Sequence, residues 1–210
     1  MDEKFENQIA EMIDNAEKMA RDYRLVNKKF KHEIFILKML KSLKLRLILN
    51  FVDFELEDIL ESWKLHRNLT YDMLEFVPDE MLKETVGKNM GSIGKQFRHI
   101  GDVQLCYIEA IKTGKIDFSK YRRDYSIESS KEKLKQFLKE LDNEMFYLLK
   151  TKKELQVDWG FMHVSLARHL NFLIQHEILH HGELIVYIRS LGLKFPKSWE
   201  DVWGPLNAIH

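Results

Sequence analysis

Cysteine is nearly absent. Cys106 is the single one in 210 residues, so no internal disulfide can form, which fits a reducing compartment. Only three prolines and nine glycines occur, too few for a turn-rich sheet protein, and the many Leu, Lys and Glu favour long helices. Net charge is absent as well: 33 Lys and Arg balance 33 Asp and Glu, so nothing global points to nucleic acid or a membrane surface. No charge-free apolar run reaches about 18 residues, which removes a membrane-spanning helix from consideration. The polar start, Met1 to Asn7, carries no secretory signal pattern, and a cytoplasmic location is the expectation. What remains is 45% hydrophobic residues in a chain of 210, enough for one well-buried core or for a core with an appendage.

The first fifty residues read as that appendage. Phe5, Ile9, Met12, Ala16, Met19, Tyr23, Val26 and Phe30 step by four and three, a heptad seam over more than three heptads. We expect a long helix from about Glu3 to Lys31, lying on the chain's own core or on a partner helix. Between Arg24 and Arg46, eight basic side chains face the single acid Glu33, with apolar residues interleaved. Such a stretch is read as a helix with a solvated lysine face. Contact with acidic lipid or nucleic acid through residues 24–46 is the alternative.

Four substantial helices follow. Asp53 is a candidate N-cap for a helix to about Phe76, which Val77-Pro78 stops. Ser92 opens a second helix, which Gly114 ends. Ser129 with Glu132 three residues later reads as a capping box for a third, running to about Lys153. Val157 to Phe161 reads as a linker. The fourth runs from about His163 to Leu191, with Gly192 and Pro196 as stop signals. This is the element count of a four-helix bundle, and the long connection between its second and third helices can serve as a crossover. The division expected is an amphipathic basic extension, 1–52, followed by the bundle, 53–210.

The chemistry-bearing residues lie late in the chain. His176 and His180, four apart, fall on one helical face one turn apart, where two imidazoles can grip one metal ion. A third ligand must come from another element, and His99 on the second helix is the candidate. Three imidazoles with an open position suit Zn, Ni, Fe or Cu. Asp102 and Glu183 are the nearby carboxylates that could orient the rings, and no catalytic residue is assigned. On spacing alone, two ordinary histidines that fall four apart explain the pattern equally well. His169 and Glu183, each seven from His176, share its stripe. Glu177 and His181 are each turned about 100° from it. Cys106 reads as a small core residue. The run His176-Glu177-Ile178-Leu179-His180 also spells the zincin metallopeptidase signature, with Glu177 as general base. That reading fits poorly with the last long helix of an all-helical chain.

Three segments together resemble one family. Gly91 to Asp102, with His99, looks like the second-helix motif of the DinB-like (YfiT-like) metal-binding four-helix bundles. His176 to Leu184 looks like their fourth-helix motif, and Tyr187 to Pro196 like the end of that helix. The resemblance covers about Phe54 to Lys197. It implies an all-α bundle with a long crossover, a divalent metal (Zn, Ni or Fe) held by His99, His176 and His180, and a homodimer. It also implies, for some members, transferase or isomerase chemistry on a small molecule with a low-molecular-weight thiol, or a related hydrolysis. His181 and Glu183 depart from the Arg and Gln common in the family. A non-catalytic binding or regulatory protein acting through the extension is the alternative.

Overall fold

In the computed structural model, residues 56–121, 124–152 and 155–208 are described, with positions 14, 15, 18 and 41 besides. Asp14, Asn15, Lys18 and Lys41 are helical and exposed. The heptad seam and most of the basic stretch lie outside the described residues.

Five α-helices make the described fold. They are α1 (56–76), α2 (Ile93–Thr113), α3 (Lys131–Leu149), α4 (Leu166–Ser190) and a short α5 (Lys197–Trp203). Sequence-encoded caps set most ends. Ser92 accepts a hydrogen bond from the Lys95 amide at the start of α2, and Gly114 closes that helix at φ 78°. The start of α3 differs from expectation. Ser130, not Ser129, is its cap and accepts from the Lys133 amide. A 3-10 turn over Tyr125–Ile127 runs up to it, and the Ser130 amide donates to Ile127 O, so the chain straightens one residue later. α3 also stops at Leu149 rather than near Lys153.

Contacts along the helices fix their directions. Gly94 packs on the Glu128 backbone, Gly101 on Phe137, and Lys112 pairs with Glu144, so α2 and α3 run parallel. The chain between them must therefore return the length of the bundle, and residues 114–130 are the long crossover. α4 runs antiparallel to α2, with His169 beside Tyr107 at one end and Tyr187 bonded to Gly91 O at the other. α1 runs antiparallel to α3: Glu75 meets Lys135, and Trp63 meets Phe146. α2 is the central element, with 15 of its 21 residues buried. Its Ile93, Phe97, Ile100, Val103, Ile108 and Ile111 join Met73, Leu74, Leu138, Met145, Leu170 and Leu184 in one core. Each such side chain contributes about 1.5–3 kcal/mol of burial.

Two features were not expected. Residues 156–165 form a two-stranded antiparallel hairpin, β1 (Gln156–Asp158) with β2 (His163–Ser165), where a linker and the first turn of the last helix were read. Val157 and Val164 face each other across it and bury against Ala110 of α2. Ser165 then caps α4, accepting from the Arg168 amide. Beyond Pro196, α5 folds back on α1, where Trp199 Nε1 donates to Leu69 O at 2.8 Å. Among the described residues, no helix is long and apolar enough to cross a membrane.

Candidate metal centre

α2 and α4 bring His99, His176 and His180 together. One nitrogen from each lies within 4.8 Å of the other two. The ring of His99 stands 5.3 Å from that of His176 and 4.9 Å from that of His180, edge to face in both cases. His176 Nε2 and His180 Nε2 are 3.1 Å apart.

The hydrogen bonds assign the His180 tautomer. Its Nδ1 lies 2.8 Å from Glu183 Oε2 and 3.0 Å from Gln96 Oε1. Both oxygens accept, so Nδ1 carries the proton and Nε2 presents its lone pair to the cluster. Gln96 is held in turn by donating to Tyr187 Oη at 3.2 Å, and Tyr187 donates to Gly91 O. His176 Nδ1 is buried without a partner, so helix packing orients that ring.

Burial also keeps the rings neutral. It pushes His176 down to about 3, with His180 and His99 adding to the effect. It pushes His99 down to about 4, helped by His180 and Arg98 and opposed by Glu183. His180 is lowered by burial too, with Glu183 working against it. Neutral imidazoles have lone pairs to offer. Two nitrogen ligands of a tetrahedral ion, each at about 2.0–2.1 Å, stand roughly 3.3 Å apart. The 3.1 Å between the Nε2 atoms is close to that spacing. The donor set and its spacing fit a divalent first-row ion.

The other sequence candidates go elsewhere. Glu177 turns to α1, where Oε1 accepts from Thr70 Oγ1 at 2.5 Å and Oε2 lies 3.2 Å from Arg67 Nη2. It is completely buried there, so the general-base role of a zincin has no footing. His181 Nε2 meets the same Thr70 hydroxyl at 2.8 Å. His169 shares the stripe of His176 but is a satisfied core residue. Its Nε2 donates to Tyr107 O and its Nδ1 accepts from Trp159 Nε1, both at 3.2 Å. Asp102 pairs with Arg98, which also donates to Glu128 at 2.6 Å, so the contacts that orient His180 come from Glu183 and Gln96. Cys106 is buried, and burial pushes its thiol up to about 11, far from a reactive thiolate. Sequence reading missed Gln96, although its place three residues before His99 puts it near the same helical face.

A model of the DinB family matches residues 39–199. The chain belongs to this family. It is 26% identical over 155 residues to the uncharacterized protein YrdA of Bacillus subtilis (strain 168), covering 71% of this chain and 89% of YrdA. Two crystal structures of DinB-like proteins share the fold. One, from Bacillus cereus ATCC 10987, superposes with a TM-score of 0.57 at 21% identity, over 67% of this chain and 95% of that one. The other, YjoA of Bacillus subtilis, gives 0.55 at 20% identity, over 67% and 97%. The DinB-like architecture and the three-histidine cluster expected from the sequence are thus both present.

Proposed function

We propose that this DinB-family protein binds one divalent metal ion through His99, His176 and His180 and acts as a metal-dependent enzyme on a small molecule. The observation that carries the reading is the meeting of three neutral ring nitrogens, from two helices, within 4.8 Å. Such an ion supplies Lewis acidity, lowering the pKa of a water or thiol that reaches its open side. Glu183 and Gln96 share the Nδ1 proton of His180, which fixes that ring and raises the basicity of Nε2. The Glu183 side chain is 41% exposed and places a carboxylate at the rim of the cluster, within reach of an incoming proton donor. Transfer to or from a low-molecular-weight thiol is the reaction class the family resemblance favours.

The test is metal analysis of protein purified without chelator. We expect close to one equivalent of a single first-row metal, and its loss in His176→Ala and His180→Ala proteins that retain their helical circular dichroism. Full metal content in both variants would sink the site. A screen of thiol-dependent transfers with the metal-loaded protein then addresses the reaction.

A further inference from the structure

α4 carries two pairs of side chains spaced four apart, offset by one residue. His176 and His180 form one, and Glu177 and His181 the other. One residue turns the helix by about 100°. The first pair therefore faces α2 and His99, and the second faces α1. On α1 both members of the second pair meet a single atom, Thr70 Oγ1, at 2.5 and 2.8 Å.

A hydroxyl has one proton to give. The Glu177 carboxylate, at 2.5 Å, takes it in preference to the His66 carbonyl at 3.3 Å, so His181 Nε2 is the donor in the other bond. Glu177 is also within 3.2 Å of Arg67 Nη2, and that same nitrogen donates to Gln104 Oε1 at 2.8 Å. Gln104 lies on α2, five residues beyond His99. The anchor on α1 thus reaches both helices that carry the cluster. Thr70, Glu177, His181 and Arg67 are all buried, so bulk solvent does not compensate a lost bond. Apolar contacts yield to a few degrees of helix rotation by sliding. Here a rotation strands a buried carboxylate and a buried imidazole.

We propose that Thr70 is a positioning residue, whose hydroxyl fixes the rotation of α4 about its axis and so holds His176 and His180 opposite His99. The proposal rests on the metal reading only for what the histidines hold. Their placement can be tested in the protein alone.

The experiment compares wild type with Thr70→Val, which keeps the shape and removes the hydroxyl, and Thr70→Ser, which keeps the hydroxyl. Leu149→Ala, at the far end of α3, controls for lost stability. Zn2+ affinity is read by competition with a chromophoric chelator. Crystal structures of metal-stripped wild type and Thr70→Val give the nitrogen positions. We expect Thr70→Val to bind Zn2+ about 10-fold more weakly, the low end of the range for losing a group bonded to a ligand ring, because Thr70 acts on the rings through α4. Thr70→Ser should restore most of this, and Leu149→Ala should melt earlier at unchanged affinity. In metal-stripped Thr70→Val the three nitrogens should spread beyond 4.8 Å. Unchanged affinity together with unchanged nitrogen positions would overturn the proposal. If wild type takes up no metal, the metal reading fails and the crystal comparison alone decides the role of Thr70. If Thr70→Val does not fold, His181→Phe, which removes one of the two bonds, takes its place in both measurements.

Discussion

His176 and Glu177 are neighbours in sequence and have opposite partners: the imidazole joins the cluster with His99 on α2, and the carboxylate is held by Arg67 and Thr70 on α1. α4 thereby separates the face of the histidine cluster from a buried ionic face.

The ionic face depends on Arg67. Its guanidinium lies 3.2 Å from Glu177 Oε2 and 3.5 Å from Asp142 Oδ1. Arg67→Met leaves Glu177 buried without its cation. Urea unfolding should show a loss of about 3–5 kcal/mol, and Arg67→Met with Glu177→Leu should lose less than the single variant. A double variant as unstable as the sum of its parts would contradict the pairing.

His180 has two acceptors for one proton, which provides redundancy. Removing Glu183 as Glu183→Ala leaves Gln96 to hold Nδ1, so metal affinity should fall by less than about tenfold. Adding Gln96→Leu strips both acceptors and should bring the loss to roughly 10–100-fold. Equal effects of single and double variants in chelator competition would show that only one acceptor matters.

Gly94 sets how closely α2 approaches the chain leading into α3. A Cβ there would stand 1.9 Å from Glu128 O, a backbone atom that cannot swing aside. Gly94→Ala should cost about 1–3 kcal/mol in denaturant unfolding. It should also displace His99, which lies five residues further along the helix. A variant of wild-type stability would mean that the 128–130 segment moves freely.

His169 makes the fold sensitive to mild acid. Burial holds it down to about 4, against an ordinary value of 6.5. Above pH 6.5 the ring is neutral in both folded and unfolded chains and costs nothing. Between pH 6.5 and about 4 the unfolded chain takes up a proton that the folded one refuses, so stability falls as pH falls. The loss from this residue approaches about 3 kcal/mol at the low end. His169→Gln, which offers a donor and an acceptor without titrating, should lessen the pH dependence of Tm in metal-stripped protein over that window, the other buried histidines keeping the remainder. A slope as steep as wild type would assign the sensitivity to other groups.

Much of the fold was legible because its signals are local. Ser92 and Gly114 mark α2 by their chemistry alone, and the helical spacing of apolar residues delivered the remaining long helices. His176 and His180 announced themselves by spacing, and His99 followed as the candidate third ligand from its place on the second helix, although nothing local ties residue 99 to residue 180. The hairpin escaped because two strands of three residues are too short to show an alternating pattern. Pro196 was read only as a stop, although proline at a helix start is equally at home, and so α5 was missed. Thr70 lies 107 residues from Glu177, and a threonine inside a helix gives no sign of what its hydroxyl will meet.

The hairpin bears on how this chain tolerates changes of length. Asp158 is bonded to both sides of the α2 terminus, donating to Gly114 O at 2.8 Å and accepting from the Ile116 amide at 3.0 Å. α4 starts directly after β2, and His176 follows ten residues later, about 15 Å up the helix. The hairpin is thus a depth stop, setting how far along α2 the histidines of α4 come to rest. Residues added at the tip, between Trp159 and Met162, leave that level untouched. One residue added between Leu166 and Gln175 turns both histidines by about 100° and lifts them by about 1.5 Å. Viable insertions should therefore collect at the tip, and the helical run up to His176 should keep its length.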